Sequence, residues 1–280
     1  MKYPHHLWAK RRPGIIPVFF LSAFIPLIGQ TVLPDARSIA AGKILTVADP
    51  GTLSYANPAS LGCHPGYSFT ISQSFPFLIK YLLASSLEVV IPLFPGSMRY
   101  DLSSLGIPGY RSFSHGLGYG TKLSDKLFAG IGFRYFHSLS MGEFNYLWSL
   151  APEAGLLLEI SETTSLGMIL NSPVNMGNYS EYGPLHPSVA SLGCCHEFYE
   201  NCFLLTEISG NSDGTLHYKM AISSLLEKGV SITAGYHSSP HCISFGARIA
   251  SKELKICFAF AWSPVPGTTP SLSITYAPAK

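Results

Sequence analysis

The chain has 280 residues, of which 12% are charged and 47% are hydrophobic, and its formal net charge is +2. This charged share is about half that of an ordinary soluble domain, whereas the hydrophobic share is ordinary. The small net charge, without runs of like charge, argues against a nucleic-acid partner. The length suits one large β domain or two small domains.

The N-terminus carries a basic cluster followed by an apolar stretch. Lys10, Arg11 and Arg12 precede the sequence PGIIPVFFLSAFIPLIGQ. This stretch is short for a bilayer-spanning helix, which needs about 20 apolar residues, and the small residues near its end suit a signal peptidase. Residues 1–29 are therefore predicted to be a secretory signal. The alternative is an uncleaved N-terminal anchor.

Residues 30–64 precede the first predicted strand and do not alternate between polar and apolar positions. Small residues over 36–42 and the turn Asp-Pro-Gly at 49–51 predict a compact loop-and-helix element. The side chain of Asn57 suits a hydrogen bond to local backbone, and the ring of Pro58 fixes a turn.

Alternation between large apolar and small or polar side chains recurs over most of the remaining chain. In KELKICFAFAW (252–262), large apolar side chains take every second position. Because side chains alternate across a strand, this segment has one apolar face and one small or polar face. With clusters of Gly, Pro, Ser and Asn as boundaries, the pattern predicts fourteen strands, near 65–75, 82–94, 98–104, 112–123, 126–138, 153–161, 164–170, 187–199, 202–209, 216–225, 229–237, 241–250, 253–261 and 270–277.

The connections between these strands alternate in length. The tight ones lie near 124, 162, 200, 227 and 251, and the mostly longer ones cover 139–152, 171–186, 210–215, 238–240 and 262–269. Short turns at one end, longer loops at the other and an even strand count are typical of outer-membrane β-barrels. The predicted fold is therefore all-β, an antiparallel transmembrane β-barrel over residues 65–277 with its apolar faces toward lipid. The alternative is a soluble secreted β-sandwich, which has no reason to place its long loops at one end.

Charged residues on the predicted strands fall on the face opposite the apolar one. The residues predicted to face the barrel lumen on this ground are Arg134, Glu159, Glu207, Lys219 and Arg248. If the loop SGNSDGT is a hairpin connection centred near Asp213, Glu207 and Lys219 lie opposite each other on adjacent strands. Opposite charges on paired strands contribute about 0.2–1 kcal/mol.

Motifs for catalysis or cofactor binding are missing from the sequence. There is no GxSxG elbow, no CxxC and no His/Cys spacing typical of zinc sites. The glycine pairs in GLGYG (116–120) and GIG (130–132) lack the following helix of a phosphate site, and they are predicted to spare lumen volume. The six cysteines are interpreted as small strand side chains rather than disulfides. We therefore predict a protein that is not an enzyme and holds no cofactor or metal.

The segment DARSIAAGKILTVADPGTLSYANPASLG (35–62) resembles the N-terminal signature of FadL-like outer-membrane barrels. The resemblance is closer to the PorV/PorQ family, which is linked to type IX secretion. In that signature, small residues precede an aspartate-containing turn and then Asn-Pro-Ala. The candidate site residues that the resemblance implies are therefore Asp49, Asn57, Pro58 and Ala59. The C-terminal AFAWSPVPGTTPSLSITY (259–276) is similar to the last hairpin of that family. One departure is that Tyr276 is not the last residue.

The resemblance implies a fourteen-stranded barrel in the outer membrane, with residues 30–64 inside the lumen as a hatch; we call these residues the hatch segment. Two functions follow from it. One is a non-enzymatic accessory of protein secretion or surface assembly, with secretion-system proteins as partners. The other is a FadL-type channel for a hydrophobic ligand. Outer-membrane lipids are partners in both cases, and the short predicted external loops favour the accessory.

Overall fold

The computed structural model of the chain describes residues 35–50, 56–63, 66–140, 147–174, 176–177, 188–226 and 229–278. The predicted secretory signal, residues 1–29, lies outside the described residues. In the described part of the chain, no helix has the length and apolar character needed to cross a membrane.

The described strands form one antiparallel sheet that closes on itself. The strands of the barrel are β1 Ser68–Ser74, β2 Leu83–Leu93, β3 Gly96–Ile107, β4 Tyr110–Ser124, β5 Leu127–Ser140, β6 Trp148–Ser161, β7 Thr164–Asn171, β8 Val189–Tyr199, β9 Cys202–Asn211, β10 Leu216–Leu225, β11 Val230–Ser238, β12 His241–Ala250, β13 Leu254–Trp262 and β14 Thr268–Tyr276. Each strand pairs with its neighbours in the sequence, and β1 pairs with β14. A two-residue strand, Met176–Gly177, adds to the start of β6. The predicted antiparallel barrel of fourteen strands is confirmed.

Burial alternates along the strands and separates a lumenal face from an outward face. On β13, Cys257 and Ala259 are buried, whereas Phe258 and Phe260 are 55% and 46% exposed. The same holds on β1, where serine and threonine side chains are buried and Ile71 is exposed. The large apolar side chains thus cover the outside of the barrel, where a membrane supplies lipid contacts.

The two ends of the barrel differ in their connections. At the end where the chain enters β1, the connections contain two to four residues; at the opposite end they contain two to seventeen residues. A one-turn 3-10 helix, Pro76–Leu78, lies in the β1–β2 connection at the opposite end. Two connections at that end, β3–β4 and β11–β12, are nevertheless two-residue turns. By the rule for bacterial barrels, the short-turn end is periplasmic and the opposite end is external.

The described part of the hatch segment lies inside the barrel. Its helix α1, Ala36–Ala40, packs against β12 and β13. Asp35 caps the start of this helix, and its carboxylate accepts a hydrogen bond from the backbone amide of Ser38. A 3-10 helix, Pro58–Gly62, packs against β3, β4, β5 and β6 on the other side of the lumen. The hatch segment therefore crosses the interior from one side of the wall to the other.

Candidate functional site

The side chain of Asn57 joins two parts of the hatch segment to the barrel wall. Its Nδ2 donates to the carbonyl of Thr46 at 2.9 Å, and to those of Leu156 on β6 and Met168 on β7 at 3.1 and 3.4 Å. Its Oδ1 accepts the amide of Ala59 at 3.0 Å and so caps the 3-10 helix. Asn57 is only 2% exposed, so these bonds satisfy an amide that water does not reach.

Three glycines form the part of the wall against which Asn57 and Pro58 pack. Gly120, Gly130 and Gly155 are neighbours in the register of β4, β5 and β6. A Cβ atom at Gly120 or Gly130 would lie 2.2 or 2.3 Å from backbone atoms of Pro58. One at Gly155 would lie 2.0 Å from Oδ1 of Asn57. Any larger residue here must displace the hatch segment, which gives two of the predicted volume-sparing glycines a physical role.

An apolar groove of about 510 Å³ lies on the outward face of the same part of the wall. Its apolar lining comes from strands β5, β6 and β7, through Ala129, Ile131, Ala154, Leu156, Met168 and Leu170. Gly130 and Gly155 also border it, and neither contributes a side chain. At this point only backbone separates the groove from Asn57 and Pro58 in the lumen.

Glu207 on β9, two strands from β7, is the principal polar attachment of the hatch segment on this part of the wall. Its Oε2 accepts the amides of Leu45 and Thr46 at 2.8 and 2.9 Å, and the hydroxyl of Thr46 at 2.8 Å. Its Oε1 accepts the hydroxyl of Ser209 at 3.0 Å and the ammonium of Lys219 at 2.5 Å. The register pairs Glu207 with Lys219, as the hairpin centred near Asp213 predicts.

Three further contacts tie the hatch segment to β10 and β12. Lys219 also donates to the carbonyl of Lys43 at 2.9 Å. The carboxylate of Asp49 accepts the hydroxyl of Ser223 at 2.8 Å and lies 3.6 Å from the guanidinium of Arg248. The carboxylate in the predicted Asp-Pro-Gly turn is thus buried against the wall and does not face solvent.

Helix α1 is held to the wall by its own first residues. The amide of Ala36 donates to Ser273 at 2.9 Å, and the guanidinium of Arg37 lies 3.3 Å from the carboxylate of Glu88 on β2. Past the helix, the amide of Gly42 donates to Ser244 at 3.1 Å. The described hatch segment therefore has polar contacts around most of the barrel circumference.

Four charged side chains form a buried cluster on the external side of the 3-10 helix. Arg99 lies 3.0 Å from Asp101 and 3.2 Å from Glu153, and Arg134 lies 2.8 Å from Glu153 and also pairs with Asp101. Both arginines are 2% exposed. Because two cations alternate with two carboxylates, the cluster adds no net charge to the lumen, and each charge has a partner.

The predicted lumenal residues differ in where they lie. Arg134, Glu207 and Arg248 are buried in the interior, and Lys219 is half-buried beside Glu207. Glu159 is on the lumenal face of β6 but is exposed, because it stands next to the short periplasmic turn. In the described hatch segment it acts on Cys63, through its charge.

Sequence reasoning missed three of the four residues of the buried cluster. Arg99, Asp101 and Glu153 lie on the faces opposite the outward Tyr100 and Leu156. The alternation rule applied to Arg134 was therefore sufficient to find them. No signal in the sequence indicates that they meet, because three strands bring them together.

The cysteine thiols are the remaining groups that could react as nucleophiles or bind a metal. All six cysteines are free. No group of three or more metal-binding side chains comes together within the described ranges. In the hatch segment, burial raises the pKa of Cys63 to about 12, with a smaller contribution from the charge of Glu159. A thiol with this pKa is protonated at neutral pH and is a poor nucleophile.

Comparison with solved structures finds barrels of the same architecture. The Pseudomonas putida toluene transporter TodX is similar over 89% of this chain and 99% of its own, with a TM-score of 0.64 and 12% identity. The Ralstonia pickettii toluene transporter TbuX is similar over 90% of this chain and 98% of its own, with a TM-score of 0.60 and 11% identity. CymD, a monoaromatic hydrocarbon channel, is similar over 91% of this chain and 98% of its own, with a TM-score of 0.61 and 12% identity.

The fold and these similarities define the class: the chain is a closed antiparallel β-barrel of fourteen strands with the same fold as these channels. No model of a known protein family matches the sequence, and no curated protein sequence matches it. The predicted closeness to PorV and PorQ is not shown by these structures. The neighbours are channels and transporters and not enzymes.

Proposed function

We propose that the protein is a FadL-type channel that admits hydrophobic small molecules through the outer membrane. The observation that carries this proposal is the apolar groove behind Gly130 and Gly155, directly opposite the hatch segment. The names of the structural neighbours, which are hydrocarbon channels and toluene transporters, support this function over the secretion accessory favoured by the sequence.

The lumen and the groove offer a hydrophobic molecule very different surroundings. The described lumenal face carries the buried charged cluster and many buried serines, including Ser103, Ser149 and Ser209. The groove is lined by Ile131, Leu156 and other apolar side chains. Since burial of apolar surface contributes about 25 cal/mol per Å², an apolar molecule is more stable in the groove. Displacing Asn57 and Pro58 would remove the side chains that back this part of the wall.

Uptake of a labelled monoaromatic hydrocarbon by cells that express the protein tests the proposal. Ala154→Trp fills the groove from the lipid side without touching the hatch segment, and we expect uptake to fall several-fold. Ala234→Trp is the matched control, because Ala234 is also an outward-facing alanine but lies on β11, away from the groove. Uptake no faster than in cells without the protein would contradict the channel function. Equal uptake by Ala154→Trp and wild type would contradict only the role of the groove.

The same strains distinguish the accessory function. If deletion of the gene changes the set of secreted proteins and leaves hydrocarbon uptake unchanged, the protein is a secretion accessory. Reduced uptake with an unchanged secreted set supports the channel.

A further inference from the structure

Arg111 is a charged residue on the outward face of the barrel, where most of the other large side chains are apolar or aromatic. It lies on β4 between Gly106 and Leu139 in the register, and Leu139 is 53% exposed. Every other Asp, Glu, Lys or Arg on the described strands lies on the lumenal register. The guanidinium is exposed, and no described acidic side chain pairs with it.

A patch of packed rings lies next to Arg111 on the same outward face; we call it the ring patch, and its members are Tyr100, Phe113, His115, Tyr135, His137 and Trp148. The ring of His137 stacks on Phe113 at 5.1 Å, on His115 at 5.5 Å and on Tyr135 at 5.5 Å. The hydroxyl of Tyr100 and Nδ1 of His115 lie 3.1 Å apart. These contacts fix the ring patch as a rigid surface on β3, β4, β5 and β6.

The ring patch gives the height of Arg111 relative to the membrane. Aromatic rings with a polar edge concentrate at the membrane–water interface. Below the ring patch, toward the periplasmic end, the outward side chains are apolar, as at Leu117 and Phe133. Arg111 lies one same-face step beyond Phe113 toward the external end, which is about 7 Å along a strand. Its guanidinium therefore stands at the level of the lipid head groups of the external leaflet.

We propose that Arg111 and the ring patch bind a phosphorylated lipid of the external leaflet. A guanidinium binds phosphate with two parallel hydrogen bonds. The acyl chains of the same lipid lie over Leu117 and Phe133. A single exposed arginine gives inorganic phosphate no enclosure, so the lipid chains are required for binding.

Retention of lipid by the purified barrel in a neutral detergent tests this site. The probe is a lipid A preparation that carries its phosphates, compared with the same preparation after phosphatase treatment, and bound lipid is counted by native mass spectrometry. We expect wild type to bind the phosphorylated form about tenfold more tightly, since hydrogen bonds to charged groups contribute at least one factor of ten. Arg111→Gln should remove this preference. Arg111→Lys should keep only part of it, because lysine lacks the paired donors.

Lys80→Gln is the control, because Lys80 is an exposed cation in the external β1–β2 connection, away from the ring patch; it should bind the phosphorylated lipid like wild type. Heat-modifiable migration on gels checks that each variant forms the barrel. The proposal is overturned if Arg111→Gln binds as wild type does, or if phosphatase treatment has no effect. Displacement of the lipid by inorganic phosphate would also overturn it, because the site would then recognise the free anion. Lipid binding at Arg111 does not depend on what the barrel transports.

Discussion

Glu207 on β9 accepts both the backbone amide and the hydroxyl of Thr46, at 2.9 and 2.8 Å. One residue of the wall thus holds the middle of the hatch segment, in an interior where the carboxylate is 2% exposed. Thr46 also accepts a hydrogen bond at its carbonyl from the side chain of Asn57, at 2.9 Å. The position of the hatch segment therefore depends on Glu207 and Asn57 together.

Replacement of Glu207 by alanine should loosen the hatch segment and open the lumen. The change removes the carboxylate partner of Lys219 and the acceptor of the amides of Leu45 and Thr46, and breaking a buried ion pair costs about 3–5 kcal/mol. We expect higher single-channel conductance in planar bilayers and a lower temperature of barrel unfolding. Glu159→Gln is the control, because Glu159 is also a carboxylate on a lumenal register but is exposed. Equal conductance of Glu207→Ala and wild type would show that the hatch segment stays in place without this contact.

Replacement of Asn57 by aspartate should be more damaging than replacement by alanine. Alanine removes a donor from three carbonyls, at about 1–3 kcal/mol for buried groups left unsatisfied. Aspartate has the same size but places a negative oxygen against the carbonyls of Thr46, Leu156 and Met168. The temperature at which the barrel loses its heat-modifiable migration should fall in the order wild type, Asn57→Ala, Asn57→Asp. The reverse order of the two variants would mean that Asn57 acts through its shape and not through Nδ2.

A single added methyl group at Gly130 should displace the 3-10 helix of the hatch segment. The new Cβ would overlap the backbone of Pro58, and overpacking of this kind costs about 1–3 kcal/mol. We expect Gly130→Ala to increase the swelling rate of liposomes in small sugars. Gly66→Ala is the control, because a Cβ there meets no atom within 4 Å. Unchanged swelling in Gly130→Ala would indicate that the wall, rather than the hatch segment, moves aside.

The thiol of Cys63 should report the position of the hatch segment through its reactivity. Burial raises its pKa to about 12, so the reactive thiolate is scarce at pH 8. In a variant with serine at the other five cysteines, the rate of maleimide labelling should keep rising above pH 9, whereas that of an exposed thiol with a pKa of about 8.5 levels off. Adding Glu207→Ala should expose Cys63, lower its pKa and increase labelling at pH 8. A labelling rate that levels off near pH 9 in the parent variant would contradict the half-buried position of Cys63.

The strands and their orientation could be predicted from the sequence because their pattern is local. In β13 large apolar side chains on the outward face alternate with small or polar ones on the lumenal face, and this period of two is visible in KELKICFAFAW itself. The pairing of Glu207 with Lys219 also followed, since a hairpin sets its own register. The same local rule placed Glu159 on the lumenal face, but it could not show that the strand end leaves this residue exposed.

Contacts between distant parts of the chain were decided only by the tertiary structure. Nothing near Asn57 in the sequence indicates that its amide reaches Leu156 and Met168, about a hundred residues later. The same holds for the row of Gly120, Gly130 and Gly155, whose purpose is visible only once Asn57 and Pro58 lie against it. Alternation specifies which face of a strand is apolar, because neighbouring residues alone determine it. Closure of the barrel decides which lumenal side chains meet, because that depends on the register of all fourteen strands and on the path of the hatch segment between them.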